Sequence, residues 1–508
     1  MVSDPTILAI DVGTTHCKAG LFALDGTALK IATRPMVVNR SSAGDAYFDP
    51  DALWATASEV IRKAAASAAS IAAIGIASMA ETGLLVDRKT GAARSFFVPW
   101  FDTAAQPQAD LLRRQSDPKE RYLKTGLRAS FKCSLAKILW LRAKDESLLD
   151  GAIWLSAADY IAYRLTGKFS TDCSLAGYTF AFRVDQRAWD GDWLHEWQLH
   201  PDMFPPVNPS GMPAGGVLPG MATSLGLTAG IPVAVCGHDH VTAAFAMNVT
   251  TSGKVFNSMG TAETLLGALP ERPLTEDDFH SGLIYGCHVA SGCGYWLGSL
   301  SASGGSVEWL RAQLGEKPLS YDQIDALLAG ARSGPTGILY FPYLVGSGPP
   351  HTDPLMRGAF VGLTASHGRA DLLKAVLEGT VYEVEYIRQA GAHITGQPIP
   401  ALIAAGGGTR NRPWLQIKAD VSGCPIEASA EPEATLLGAA LVAGIGSGLY
   451  PNEAEAFNGL CLNPVEVFLP DPERHAAYRR LYEQGYLRLQ GALRQHFNGT
   501  ERELAEHE

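Results

Sequence analysis

The sequence predicts an α/β protein made of two domains, and three observations predict it. The first is a pair of apolar hairpins with the same turn chemistry. One runs Ile7-Leu8-Ala9-Ile10-Asp11-Val12-Gly13-Thr14-Thr15 and continues through Lys18 to Leu24. The other runs Lys254-Val255-Phe256-Asn257-Ser258-Met259 into Gly260-Thr261 and out through Leu266. Each reads as apolar strand, Gly-Thr turn, apolar strand. The second observation is length: 508 residues exceed one compact domain and suit two of about 250 residues. The third is that strand-like and helix-like segments mix in both halves, which points to α/β layers and away from a helical bundle.

The elements follow in order. Thr6–Ile10, Lys18–Leu24 and Ala28–Thr33 form a three-strand meander, with Asp25-Gly26 as the tight turn between the last two. A helix capped by Asp51 runs through Leu53, Trp54, Val60 and Ile61. Ile71–Ser78 and Leu84–Asp87 read as strands. Leu135, Ile138, Leu139 and Leu141 place an amphipathic helix over Ser134–Leu149. Ser156 and Asp159 form a capping box for the next helix, which Gly167 closes. Trp189–Gly220 reads as irregular. Val233–Cys236 is a strand, Gly237-His238-Asp239-His240 a corner, and Thr242–Met247 the start of a helix. The boundary falls near Asn248–Gly253 and gives domains 1–250 and 251–508. Strands follow near Gly282–Ala290 and Gly294–Leu300. Helices follow near Ser303–Leu314, Ala370–Gln389, Trp414–Ser422 and Ala434–Ala443. The chain after Asp471 reads as one charged amphipathic helix with a frayed, acidic end.

Composition narrows the function classes. Hydrophobic residues make up 46% and charged residues 18%, ordinary for a globular chain with a sizeable core. A net charge of −11 argues against nucleic-acid binding, which relies on clustered Lys and Arg. It leaves room for an anionic small molecule held by local loops. The eight cysteines form no CxxC pair, as expected of reduced thiols in a cytoplasmic protein. Met1-Val2-Ser3-Asp4-Pro5 carries no basic leader, and no stretch approaches the ~18–20 apolar residues of a membrane span.

Four clusters carry chemistry. Glycine in a turn lets the backbone approach a ligand closely, and the threonines that follow offer N–H and hydroxyl donors that suit phosphate oxygens. Asp11 ends the first strand just before such a turn, where a carboxylate is placed to hold a hydrated magnesium ion. Lys18 reads equally as a point charge on phosphate or an exposed strand lysine. Asp239 sits at a strand-to-helix corner, and phosphoryl transfer to an alcohol needs a carboxylate that accepts the hydroxyl proton. His238 and His240 flank it, but adjacent residues project differently, and no third metal ligand has the right spacing. Ala404-Ala405-Gly406-Gly407-Gly408-Thr409-Arg410-Asn411 is a Gly-rich strand-to-helix loop able to accept a flat adenine or a phosphate. Ser303-Gly304-Gly305-Ser306 is a similar helix opening.

These residues together resemble the FGGY carbohydrate kinase family, which includes xylulokinase, glycerol kinase, gluconokinase and polyol kinases. Asp11–Lys18 matches the family's first phosphate motif and Gly260-Thr261 the second. Gly406–Asn411, with Pro432-Glu433-Ala434-Thr435-Leu436-Leu437-Gly438-Ala439-Ala440, matches the adenosine region. Arg357-Gly358-Ala359-Phe360-Val361-Gly362-Leu363, followed by Asp371-Leu372 and Ala375–Glu378, resembles the C-terminal signature. Ser134 to Leu141, with Lys137 and Trp140, resembles the N-terminal one less completely. The match spans roughly residues 6 to 450.

The resemblance implies two actin-like, ribonuclease H-like ATPase domains with a catalytic cleft between them. It implies ATP and Mg2+ as cofactors. Asp239 is then the catalytic base, and Asp11 and Asp239 are the metal-side carboxylates. Gly13, Thr14, Thr15, Lys18, Gly260, Thr261, Gly304, Gly407, Gly408 and Asn411 face the nucleotide. Met79, Glu81, Trp100, Asp102, Lys132, Asp239 and His240 face the acceptor. A homodimer is a family-level expectation.

The acceptor side departs from the better-known relatives. Ser78-Met79-Ala80-Glu81-Thr82 stands where xylulokinases resemble Gln-Met-His-Gly and glycerol kinases Gln-Arg-Glu-Thr. Trp100-Phe101-Asp102 fits the family's Trp-x-Asp, but Ala104 replaces the arginine that follows. Lys132 replaces a tyrosine of glycerol kinases, and His240 a common glutamine. The expected activity is ATP-dependent phosphorylation of a small sugar, first a ketose such as xylulose or a related ketopentose. A polyol of the erythritol, threitol or glycerol type, or a sugar acid, is the alternative. An actin-like ATPase or a sugar sensor without kinase activity is the distant one.

Overall fold

The computed structural model describes residues 4–68, 70–461 and 465–505. The expectations about Met1–Ser3 and about an acidic end at 506–508 lie outside the described residues. Two sheets dominate. The first is built from β1 (Thr6–Val12), β2 (His16–Ala23), β3 (Ala28–Pro35), β4 (Ile71–Ser78), β5 (Pro213–Gly216) and β6 (Pro232–His238), in the order β5-β6-β4-β1-β2-β3. The second is built from β7 (Lys254–Met259), β8 (Glu263–Pro270), β9 (Ile284–Cys287), β10 (Cys293–Leu300), β11 (Ala401–Ala405), β12 (Ile426–Ala428) and β13 (Glu466–Phe468), in the order β9-β10-β8-β7-β11-β12-β13.

The two sheets share a plan. β1 pairs antiparallel with β2 on one side and parallel with β4 on the other, and β4 pairs parallel with β6. β7 pairs antiparallel with β8 and parallel with β11, and β11 pairs parallel with β12. The duplicated hairpin motif therefore takes the same place in two similar sheets. Ile7, Leu8, Ala9, Ile10 and Val12 of β1 are all fully buried, the continuous apolar run of a strand covered on both faces.

Six helices bear on the site: α1 (Ser134–Lys144), α2 (Ala157–Thr166), α3 (Asp239–Ala246), α4 (Gly304–Gln313), α5 (Arg412–Ser422) and α6 (Ala434–Gly446). α6 comes late in the chain but packs on β1, β4 and α3 in the core of the first sheet. Its small residues allow this: a Cβ on Gly438 would stand 2.0 Å from the Thr242 carbonyl oxygen. The Tyr450 hydroxyl then donates to Leu24 O at 2.7 Å.

Several local expectations are sharpened. The first helix, Pro50–Ala65, is capped by Asp49, whose side chain accepts from the Ala52 amide, and not by Asp51. Pro50 at the first helical position fits that start. The helix expected over Ser134–Leu149 ends at Lys144, because Asp145 is extended and caps a separate turn, Glu146–Leu149. The capping box at Ser156 and Asp159 and the left-handed Gly167 are present at the ends of α2. α3 begins at Asp239, three residues before the expected Thr242. The tail helix is interrupted by a π turn at Tyr482–Tyr486. All eight cysteines are free. No helix among the described residues is long and apolar enough to cross a membrane.

Candidate active site

Parallel pairing brings the first group of residues together. Val12 of β1 and His238 of β6 both register with Ser78 of β4. The carboxyl ends of three adjacent strands thus place Asp11, Met79–Glu81 and Asp239 along one edge. In the second sheet, Ser258 registers with Ala405, so Gly260-Thr261 and the Gly406–Asn411 loop leave neighbouring strand ends. Ligands in open α/β sheets bind at such edges.

The carboxylates Asp11 and Asp239 are pushed in opposite directions. Burial, and then the charge of Asp239, raise the Asp11 carboxyl to about 8. Its Oδ1 is buried without a hydrogen-bond partner. Burial also acts to raise Asp239, but the His240 and His238 rings and the hydrogen bonds from His238 and the His240 amide outweigh it and bring it to about 2. A pair of titratable groups held apart in this way marks divided roles. An orphaned carboxylate oxygen beside an ionised carboxylate is also the oxygen-only donor set that suits a hard cation such as Mg2+.

The corner at Asp239 is built by its neighbours. Gly237 takes φ +107, and a Cβ there would stand 2.5 Å from Ser174 Oγ. Ser174 Oγ accepts from the His238 amide at 2.9 Å and donates to Asp172 Oδ2 at 2.8 Å. Ser210 Oγ donates to the same Asp172 oxygen at 2.6 Å. His238 Nε2 lies 3.0 Å from Asp239 Oδ1, and the His240 amide donates to that oxygen at 2.7 Å. At this strand-to-helix junction, ligand atoms of His238, Asp239 and His240 lie within 4.8 Å of one another. The His238 nitrogen is committed to Asp239 as a hydrogen bond.

Residues that the sequence placed on the acceptor are joined to the first Gly-Thr turn. Trp100 Nε1 donates to Thr14 Oγ1 at 2.8 Å, and Thr14 Oγ1 donates to Met79 Sδ at 3.5 Å. The Lys132 ammonium lies 5.1 Å from the Trp100 ring centroid. Glu81 adopts φ +60, and the buried Lys137 ammonium donates to its carbonyl at 2.5 Å. Burial pushes the Glu81 carboxyl up, against the pull of nearby Lys132. Burial lowers the His240 ring. Asp102 differs from its neighbours. It is 8% exposed, and its oxygens accept from the Ala46 amide at 2.6 Å and the Ala104 amide at 2.9 Å. It holds two loops together where the sequence placed it on the acceptor.

Of the residues that the sequence placed on the nucleotide, Gly260 and Thr261 are exposed, as is Ala262. Gly407 has open space where a Cβ would be, the bare backbone that a flat ring or phosphate needs. Gly304 and Gly408 are glycines for another reason: a Cβ would stand 2.5 Å from Gly260 O and 2.9 Å from Met259 Cβ respectively. Asn411 caps α5, its Oδ1 accepting from the Trp414 amide at 3.0 Å. Lys18 donates to both Glu433 oxygens, at 3.0 and 2.6 Å, so its strand position is not that of a free surface lysine. Sequence reasoning missed Glu433 as a partner, although an acidic residue just before the small-residue run of α6 was a visible signal. It also missed Asp172 and Ser174, whose link to Asp239 exists only in three dimensions.

Comparison with known proteins identifies the family. The FGGY family of carbohydrate kinases, N-terminal domain, matches residues 6–246, and its C-terminal domain matches residues 255–447. A glycerol kinase of Gloeobacter violaceus is 31% identical over 481 residues, covering 94% of both chains. A xylulose kinase of Bacillus subtilis is 25% identical over 488 residues, covering 94% of this chain and 95% of its own. The crystal structure of Plasmodium falciparum glycerol kinase with ADP superposes with a TM-score of 0.84 at 21% identity, covering 95% of this chain and 98% of that one. The expected two-domain actin-like ATPase fold is thereby borne out. The chain belongs to the FGGY family of carbohydrate kinases.

Proposed function

We propose that this kinase transfers the γ-phosphoryl group of ATP to a hydroxyl of a ketose, with xylulose or a related ketopentose as the first candidate acceptor. The observation that carries the reading is the shared edge of Asp11, Glu81 and Asp239, closed on one side by Trp100 and Lys132. Hydroxyls need acceptors, which Glu81 and Asp239 supply. A keto oxygen needs a donor, which the Lys132 ammonium supplies. Pockets of this kind discriminate strongly, because a buried polar group left unpaired costs about 1–3 kcal/mol.

Thr14, Thr15, Gly260 and Thr261 hold the phosphates, and Gly407 lies under the adenosine. Asp11 and Asp239 would hold Mg2+, which when bound neutralises phosphate charge. Asp239 aligns the acceptor hydroxyl and takes its proton late, because the transition state is loose and needs little nucleophilic push. Its carboxylate is ionised at neutral pH and fixed by His238 and the His240 amide. Domain closure excludes water and so suppresses ATP hydrolysis.

A polyol acceptor is the second reading. Glu81-Thr82 favours it, since these two residues fit the glycerol kinase pattern. The test is ADP release across ketopentoses, ketohexoses, four- and five-carbon polyols, glycerol and sugar acids. Saturable turnover with a ketopentose bears out the first reading, and turnover confined to polyols replaces it with the second. Uniform silence alongside good ATP binding would overturn both in favour of a sensor.

A further inference from the structure

Behind the second Gly-Thr turn lies a buried ion pair that the transfer scheme does not use. Glu263 at the start of β8 and Lys418 on α5 are each 1% exposed. The Lys418 ammonium donates to Glu263 Oε1. Asn257 Nδ2 on β7 donates to the same oxygen at 2.8 Å, and Ser303 Oγ donates to Oε2 at 2.6 Å. The carboxylate is therefore the common acceptor for three elements. β7 runs into Gly260-Thr261, Ser303 precedes Gly304 at the start of α4, and α5 follows the Gly406–Asn411 loop. Main-chain bonds complete the joint: the Ser303 and Gly305 amides each donate to Thr261 O at 3.0 Å, and the Gly304 amide donates to Gly260 O at 3.1 Å.

A buried ion pair is a poor source of stability, since apolar residues of similar volume often serve as well or better. Its value here lies in geometry. Resting on the nucleotide assignment above, we propose that Glu263 and Lys418 are positioning residues for ATP. They lock the second phosphate turn, the start of α4 and the adenosine loop into one frame. Neither side chain touches the nucleotide; each acts through the loops it holds.

The test is calorimetric titration of ADP with Mg2+ into the wild type, Glu263→Gln, Lys418→Met and the double variant Glu263→Leu/Lys418→Met, with a melting temperature for each. The single variants leave a buried charge or donor unpaired, so they lose stability as well as affinity. The double variant removes both charges together, so it is expected to lose less stability than either single variant, although Asn257 and Ser303 each lose their bond to the carboxylate. Its ADP Kd is still expected to rise about tenfold or more, because small misplacements of binding groups are costly. Should the double variant fail to fold, Ser303→Ala supplies the same readout, with a weaker ADP affinity and a smaller loss of melting temperature than the single charge variants, since it removes one hydrogen bond and no charge. Native ADP affinity in the folded double variant, or in Ser303→Ala if that variant must stand in, overturns the proposal alone. A wild-type chain that binds no ADP overturns the nucleotide assignment, and this proposal with it.

Discussion

Lys18 and Glu433, 415 positions apart, form an ion pair with Nζ 2.6 Å from Oε2. Lys18 lies opposite Asp11 in the β1–β2 register, and Glu433 immediately precedes α6. The pair thus ties the first Gly-Thr hairpin to the helix that returns from the second sheet. The side chains are 27% and 20% exposed, so the pair's own contribution is on the order of 0.5–1 kcal/mol. A double-mutant cycle with Lys18→Met and Glu433→Gln, read by urea denaturation, is expected to show a coupling of that size. Strictly additive effects would mean that the two side chains do not interact.

Glu81 predicts a trade between stability and activity. A side chain at φ +60 carries a left-handed penalty of about 1–2 kcal/mol. Glu81→Gly relieves that strain but removes the carboxylate from the acceptor wall. The variant is expected to be more stable by about 1 kcal/mol while its acceptor KM rises. Denaturation curves and ADP release check the two halves separately. A variant that is both less stable and fully active would refute the strain and the role together.

Lys137 predicts a pH effect. It is 0% exposed, and burial lowers its ammonium from 10.5 to about 7. Between those values the unfolded chain holds a proton that the folded chain has released. Stability therefore gains a rising contribution as pH increases from about 7 towards 10. Lys137→Met abolishes that contribution, so the stability difference between wild type and variant should shift in favour of the wild type across this range. Parallel stability curves would show that the lysine titrates normally.

Much of the frame was legible in the sequence because it is local. The apolar run Ile7–Ile10 and the Gly-Thr turns at Gly13 and Gly260 announce both central hairpins. Ser156, Asp159 and Gly167 announce α2 at both ends, and the Asp239 corner is visible from the strand that precedes it. What was not legible depends on distant partners. Lys18 meets Glu433 only because α6 folds back onto the first sheet, and that return is permitted by Gly438 against Thr242. Asp102 gives one oxygen to the Ala46 amide, 56 positions away, a loop contact that no local pattern encodes. The bond from His238 Nε2 to Asp239 at the strand-to-helix junction depends on rotamers that the sequence allows but does not require.

The central claim is that Asp239 aligns the acceptor hydroxyl and takes its proton. The most direct test is the kcat of Asp239→Asn with an acceptor that saturates the wild type, measured beside ADP affinity. The substitution keeps the size of the side chain and removes its basicity. The kcat is expected to fall by about 10²–10⁴-fold, with ADP binding retained. Near-normal turnover in this variant would contradict it.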